Sequence, residues 1–447
     1  MSSSKPQPIL STFDIVSLIV GTVVGAGLFK TPALVASALG SPHWIMLAWA
    51  IGGLASLIGA LCYAELATAY PNVGGEYFFL HQAFGRSVAF LYAWARASVI
   101  VTGSIAGLAI AMGDYLAPLF PLLPHGPTVL ALSAVLALTG LNSLGIHLAK
   151  NVQNFFLWLE LVAVAVVLVA GYLAHPSASA VVVSPTQPLF QGLGFAMIFV
   201  LLTYGGWNEA AYLSAEARDG RRGVVKGLLL GIGVVTALYL VINFAYLWGL
   251  GAAGVAHADA PAASLFAAAF GGKAGALLSI IIAFSCMKSV NATIFLGARS
   301  NFAVGKDWHL FAWLGHWDAV GAPRRAMWIQ AIIAAALILF AAWTRHGFEA
   351  VVEFTAPVFW FFIVLMALSV LVLRARGGAR AGAFRVPLYP LTPLLFLAMA
   401  SWLLYSSVSY TGVGALVGVV FLALGLIPLA LERWWFGAKD PAASHTP

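Results

Sequence analysis

Four ionisable side chains stand inside or beside runs of sequence that are otherwise apolar: Arg96 in YAWARASV, Glu160 in FFLWLELVAVAVV, Lys288 in AFSCMKSVNATIF and Glu209 near the end of TYGGWNEA. Charges at membrane depth are costly and persist where they pair or function. The chemistry open to these four is ion pairing, proton exchange and recognition of a charged solute. A second chemistry is made of backbone. GTVVGAGLF, 21–29, puts Gly25, Ala26 and Gly27 in the middle of the first apolar run, and TYGGWNEA, 203–210, interrupts a later one. A helix unwound at either place frees N–H and C=O groups, which a bilayer tolerates only where protein or a polar cavity covers them. The N–H groups near Gly25 to Leu28 open a second half-helix and suit an anion. The carbonyls near Thr22 to Val24 and near Leu202 to Gly205 end first half-helices and suit a cation. An α-amino acid carries both charges on one carbon and satisfies both poles. A lone Gly-x-Gly also serves close helix packing, and the second, polar break is what favours unwinding.

The elements that must position these groups are membrane helices. The 447 residues are 62% hydrophobic and only 8% charged, with a mean hydropathy of +0.96, outside the usage of soluble domains. Stretches able to cross a hydrocarbon core of about 30 Å recur throughout. Spans are expected near 13–38, 43–68, 87–116, 127–147, 151–174, 189–215, 226–250, 275–301, 326–344, 348–373, 388–410 and 413–435, twelve in all, behind a short segment 1–12 and ahead of a tail 436–447. With the N-terminus in the cytoplasm, the outer segments hold only Lys273 and Arg345. Lys30, Arg96 and Lys288 fall within spans, and the rest of the 22 Lys and Arg lie inside. The positive-inside rule therefore places both termini in the cytoplasm, and the basic pI of about 9.4 reads as topology rather than as affinity for nucleic acid.

The two Gly-interrupted spans are the first and the sixth, equivalent positions in two five-helix blocks, 13–174 and 189–373, with the last two helices, 388–435, outside the repeat. An odd repeat length sets the blocks in opposite orientations, and two broken helices in such an inverted repeat point to a midplane substrate site. Cys62 and Cys286 lie in different spans and read as packing residues. Glu65, in CYAELATAY near a span end, reads as an anchor, and PNVGGEYFFLHQAFGRS, 71–87, as a segment on the cytoplasmic surface.

Five motifs in order, GTVVGAGLFKTP at 21–32, PNVGGEY at 71–77, YGGWNEAAYLSAEARD at 204–219, GARSNFAVGKD at 297–307 and FRVPLYPLTP at 384–393, resemble the amino acid, polyamine and organocation permeases. The likeness is to the L-type amino acid transporters and their bacterial relatives above all. The resemblance implies an all-α integral membrane fold of twelve helices, a five-plus-five inverted repeat with helices one and six broken, alternating access, and amino acid substrates. It implies that Gly25, Ala26 and Gly27 cradle a carboxylate, that carbonyls of Val23, Leu202 and Gly205 hold the amine, and that Trp207 and Asn208 belong to the sixth-helix motif. Leu202 departs from the pattern, standing where L-type transporters present an aromatic gate, and Glu209 replaces a residue that is commonly uncharged. On the fifth helix many relatives carry a lysine where sodium-coupled cousins bind sodium, and here that position is Glu160. Lys288, on the eighth helix, can supply the missing ammonium, so a Glu160–Lys288 pair bracing helices one, five and eight is expected. Three roles for Glu209 stay open: recognising a cationic side chain, accepting a coupling proton, or tying to the basic inner loop.

The expected function is secondary transport of neutral amino acids across the plasma membrane, by exchange or proton symport, in a bacterial inner membrane. The rival with the same fold is a polyamine or cationic amino acid permease. An enzyme is not expected, since HExxH, GxSxG and P-loop motifs are missing. A membrane sensor would need an output domain, which the short tail does not hold. No cofactor, metal or nucleic acid is expected. Partners that join such transporters through a disulfide use an outer-loop cysteine. The loop APLFPLLPHGPT, 117–128, has none, so no disulfide-linked heavy chain is expected.

Overall fold

In a computed structural model the described residues are 11–25, 27–72, 74–144, 146–174, 188–208, 220–258, 260–318, 322–344, 347–377 and 382–436, and among them every regular element is helical. Among the described residues nine helices are long and apolar enough to cross a membrane, or ten if the pair Ile15–Val23 and Gly27–Leu39, bent by 52°, is one span. Shorter apolar helices at Trp158–Leu173 and Leu189–Thr203 stand at the expected fifth and sixth spans. Leucines and isoleucines such as Leu54, Leu230 and Ile332 are more than half exposed, as helices facing lipid require.

The chain divides into two compact units. The first comprises Met1–Ala83, Val162–Ser279 and Trp360–Ser407; the second comprises Phe84–Leu161, Ile280–Phe359 and Val408–Pro447. Each unit draws helices from both five-helix blocks of the sequence.

The first unit is built on α1 (Thr12–Val23), α2 (Gly27–Leu39), α3 (Pro42–Ala69), α4 (Gly75–Phe84), α9 (Leu189–Thr203) and α10 (Gly220–Ala256). Helix α3 opens with Pro42 in its first turn, where a missing N–H costs nothing, and ends at Tyr70, just ahead of Pro71. Helix α10 packs on α1, α2 and α3, and α9 packs on α2 and α3. These helices approach closely: a Cβ at Gly53 of α3 would lie 2.4 Å from Thr236 of α10, so small residues set the packing distance where hydrophobic driving force is weak. Helix α4, inside the segment 71–87, buries Glu76, Phe79, Leu80 and Ala83.

The second unit holds α5 (Arg86–Ala95), a π-helical turn at Arg96–Ile100, α6 (Val101–Leu116), α7 (Gly126–Ser143), the first part of α8 (Ile146–Leu173), most of α12 (Gly272–Asp307), and α13 (Arg324–Thr344). Helix α6 packs against α7 and α13.

Candidate functional site

The backbone breaks both lie in the first unit. Helix α1 makes its last helical bond from Val24 N to Val20 O at 2.9 Å, and Leu28 N then donates to Gly25 O at 3.0 Å across the break. Helix α2 starts at Gly27, so N–H groups of its first turn have no carbonyl of their own helix to reach. The second break follows Thr203. There Tyr204 N donates to Val200 O at 2.9 Å, Gly205 N donates to Leu202 O at 3.1 Å, and Gly206 turns the chain at φ +111°, a conformation that favours glycine.

The two breaks press on each other. A Cβ at Gly206 would lie 3.3 Å from the carbonyl oxygen of Thr22, and a Cβ at Gly27 would lie 2.9 Å from Thr203 Oγ1. Tyr239 of α10 reaches both helix ends: its hydroxyl stands 2.9 Å from Val23 O and 3.0 Å from Thr203 O. One hydroxyl proton serves two carbonyls, so one of them always keeps acceptor capacity with respect to this tyrosine. Thr203 Oγ1 donates to Phe199 O at 2.8 Å, which leaves Thr31 Oγ1 as donor in the 2.7 Å bond between the two threonines. That bond ties α2 to the end of α9.

Of the residues assigned to the substrate, Val23, Gly25, Gly27, Leu202 and Gly205 gather along these breaks, with Leu202 O already engaged by Gly205 N. Ala26 lies outside the described residues. Trp207 and Asn208 turn instead to α3 and α4. The Trp207 ring meets Tyr63 edge-on, with centroids 5.0 Å apart, and Asn208 Nδ2 donates to Glu76 Oε1 at 3.1 Å.

The charged site is in the second unit. Lys288 of α12 donates to Glu160 Oε2 of α8, Ser285 Oγ donates to Glu160 Oε1 at 2.9 Å, and both ionic side chains are 2% exposed. Ser285 and Lys288 are one turn apart on α12, which is why both reach one carboxylate. Further along the same helix Asn291 Oδ1 accepts from Asn142 Nδ2 at 2.6 Å. Arg96, in the π-helical turn, donates to Ser300 Oγ and Tyr92 Oη at 3.3 Å each, side-chain partners that suit a structural role. Glu209 lies outside the described residues. No cluster of three or more His, Cys, Asp or Glu suited to a metal occurs among the described residues, and Cys62 and Cys286 are both buried.

Glu65 does more than sit near a span end. It is 6% exposed and accepts from Val386 N at 2.6 Å and Arg374 Nη1 at 3.3 Å, while Thr68 Oγ1 accepts from Phe384 N at 3.0 Å. The FRVPLYP stretch is thereby fastened to the end of α3. Sequence reasoning gave no site role to Tyr239, Thr203, Thr31, Tyr63 or Glu76. Tyr239 stands in the apolar run TALYLVIN with nothing beside it to mark it, whereas Glu76 carries a local signal, a charge directly after two glycines in PNVGGEY.

Comparison with known proteins finds the amino acid permease family over residues 10–427. The b(0,+)-type amino acid transporter 1 of Mus musculus is 28% identical over 431 residues, covering 92% of this chain and 85% of that protein. The serine/threonine exchanger SteT of Bacillus subtilis is 28% identical over 417 residues, covering 91% and 93%. The Asc-type amino acid transporter 1 of Mus musculus is 25% identical over 434 residues, covering 94% and 80%.

Proposed function

Since this chain belongs to the amino acid permease family, we propose that it carries neutral amino acids across a plasma membrane by alternating access, as an exchanger or a proton symporter. The observation that carries this reading is the meeting of the two breaks around Tyr239, which stands 2.9 and 3.0 Å from the carbonyls that end α1 and α9. Two helix C-termini converge there, and partial negative charge at such ends favours an ammonium. The first-turn N–H groups of α2, from Gly27, favour a carboxylate. Val23, Gly25, Ala26, Gly27, Leu202 and Gly205 form the cradle, with Trp207 and Asn208 closing its second break. The names of the relatives, a serine/threonine exchanger in Bacillus subtilis and amino acid transporters in Mus musculus, support small zwitterions as substrates.

Glu160 and Lys288 are the coupling pair of this proposal, and Glu209 is a further candidate. The distribution of Lys and Arg supports cytoplasmic termini, and the Bacillus relative supports a bacterial inner membrane.

The test is uptake by purified protein in proteoliposomes, using labelled neutral, cationic and anionic amino acids and polyamines. Uptake of a neutral amino acid that requires internal amino acid supports exchange, and uptake driven by an inward proton gradient supports symport. Uptake confined to cationic compounds replaces this reading with a cationic amino acid or polyamine permease, and gives Glu209 a role in specificity.

A further inference from the structure

A buried carboxylate that the cradle does not use stands next to the second break. PNVGGEY delivers it. Asn72 Oδ1 accepts from Gly74 N at 2.7 Å, Asn72 O accepts from Gly75 N at 3.2 Å, and Gly75 takes φ +48°. Helix α4 therefore starts at once, and Glu76 falls in its first turn, only 3% exposed. A carboxylate so enclosed must be met by donors of the protein. Tyr63 Oη donates to Glu76 Oε1 at 2.6 Å, and Asn208 Nδ2 donates to the same oxygen at 3.1 Å.

Both partners lead back to the break. Asn208 Oδ1 accepts from Gly206 N at 3.3 Å, and Gly206 is the residue whose missing Cβ lets the turn lie on Thr22 and Val23 of α1. Tyr63 presents its ring to Trp207 at 5.0 Å and 81°. Trp207 in turn fills a notch that a Cβ at Gly59 would close, at 2.8 Å. One oxygen of Glu76 thus fastens the last two described residues of the break, one directly and one through Tyr63.

We propose that Glu76 is a positioning residue: its carboxylate holds Asn208, and through Asn208 it keeps Gly206 seated on the end of α1, without touching substrate itself. The inference rests on the reading of the breaks as the amino acid cradle. What matters in it is an acceptor oxygen at this place. Glutamine offers one in the same shape, and alanine takes it from the buried Tyr63 hydroxyl and the part-buried Asn208 amide.

The experiment has two readouts on purified protein. Amide hydrogen exchange over residues 203–208 is measured without substrate. KM and Vmax are measured for counter-exchange in proteoliposomes, using the amino acid that the wild-type protein takes best. Glu76→Ala is expected to speed exchange in this segment and to raise KM by about tenfold, in line with taking a charged acceptor from the Tyr63 hydroxyl and the Asn208 amide. Glu76→Gln is expected to stay within about twofold of wild type on both, since it keeps the acceptor. Asn208→Ala should reproduce Glu76→Ala, and the double variant should be no worse than either single one. Where Glu76→Ala does not accumulate as folded protein, Asn208→Ala carries the same expectation from the other end of the bond.

A residue that only helps the chain to fold would lower yield and Vmax at unchanged KM, and that result overturns the proposal. So does a Glu76→Gln protein as impaired as Glu76→Ala, because the charge rather than the acceptor would then be what counts. A wild-type protein that neither exchanges amino acids nor takes them up under an inward proton gradient defeats the cradle reading alone, since the hydrogen-exchange readout needs no substrate.

Discussion

The two candidate sites are built from opposite materials. In the first unit the site is backbone: carbonyls of Val23 and Thr203, N–H groups at the start of α2, and neutral hydroxyls of Tyr239, Thr31 and Thr203. In the second unit it is side chain: an ammonium and a carboxylate, both 2% exposed, with a serine hydroxyl on the second oxygen. A backbone site is made by what is missing, the Cβ atoms of Gly27 and Gly206, and is damaged by adding atoms. An ion pair is made by what is present, and is damaged by removing one half. The contrast suits a division of labour in which the first unit binds a zwitterion whose charges need only partial ones opposite, and the second holds full charges whose balance can be altered.

The largest effect is expected where charge is left unbalanced. Lys288→Ala leaves Glu160 buried with Ser285 Oγ as a neutral donor, and losing one member of a buried pair costs about 3–5 kcal/mol. Transport should fall to background and thermal stability should drop. Adding Glu160→Gln should restore much of the stability, because the pair's desolvation is removed along with its attraction. Uptake in the double variant, set beside its melting temperature, separates the two roles: recovery of both marks a brace, and recovery of stability without coupled uptake marks a coupling pair. A double variant no more stable than Lys288→Ala would break the comparison, since the two charges would then not be balancing each other.

A smaller effect is expected from adding a methyl group to the backbone site. Gly27→Ala sets a Cβ 2.9 Å from Thr203 Oγ1 and 3.1 Å from its methyl group. Overpacking of this kind costs about 1–3 kcal/mol, which corresponds to a KM raised by about fivefold to about 150-fold if the strain is relieved by displacing the break. Thr203→Ala on the same chain removes the clashing atoms and should recover most of that loss. Gly206→Ala should be the harder of the two to rescue. Its φ of +111° is unfavourable for any side chain, and its neighbour at 3.3 Å is the carbonyl of Thr22, which no substitution trims. Substrate affinity for the three variants orders these expectations in one experiment.

The sequence was legible in proportion to how far each feature announces itself locally. The breaks were visible because Gly25, Gly27, Gly205 and Gly206 interrupt apolar runs, and the helices because apolar length is a strong signal. Lys288 and Glu160 were visible as charges among apolar residues. The contact between them depends on how α8 and α12 pack, and it was reachable from sequence only through the resemblance to a family whose fifth-helix lysine is here replaced by Glu160. Tyr239 was not legible at all, since a tyrosine in a membrane helix carries no mark of which carbonyl it will meet. Glu76 and Glu65 fell between these cases. Each is a charge near a helix end, where anchoring at the interface is the ordinary expectation, and only tertiary packing turned both into buried acceptors. At the second break, Trp207 and Asn208 stand out in the sequence as part of the sixth-helix motif, while their contacts with Tyr63 and Glu76 depend on tertiary packing.

The smallest effect tests the backbone site at the hydroxyl its two helix ends share. Tyr239→Phe removes one hydroxyl and leaves the ring, which packs edge-on against Trp49 at 5.5 Å and beside Tyr204 at 4.9 Å. The helix ends then lose a donor that Val23 O and Thr203 O share, worth about 0.5–1.5 kcal/mol as a neutral hydrogen bond. If the hydroxyl only satisfies these carbonyls before substrate arrives, an incoming ammonium finds two freer acceptors in the variant, and affinity should rise while stability falls slightly. If the hydroxyl holds the ends of α1 and α9 at the spacing the substrate needs, KM should rise about twofold to tenfold with little change in melting temperature. The convergence of two helix termini on a single hydroxyl favours the second result. Equal affinities for wild type and variant across a panel of neutral amino acids would move the ammonium pole away from Val23 and Thr203, and with it the argument that partial charges suffice in the first unit.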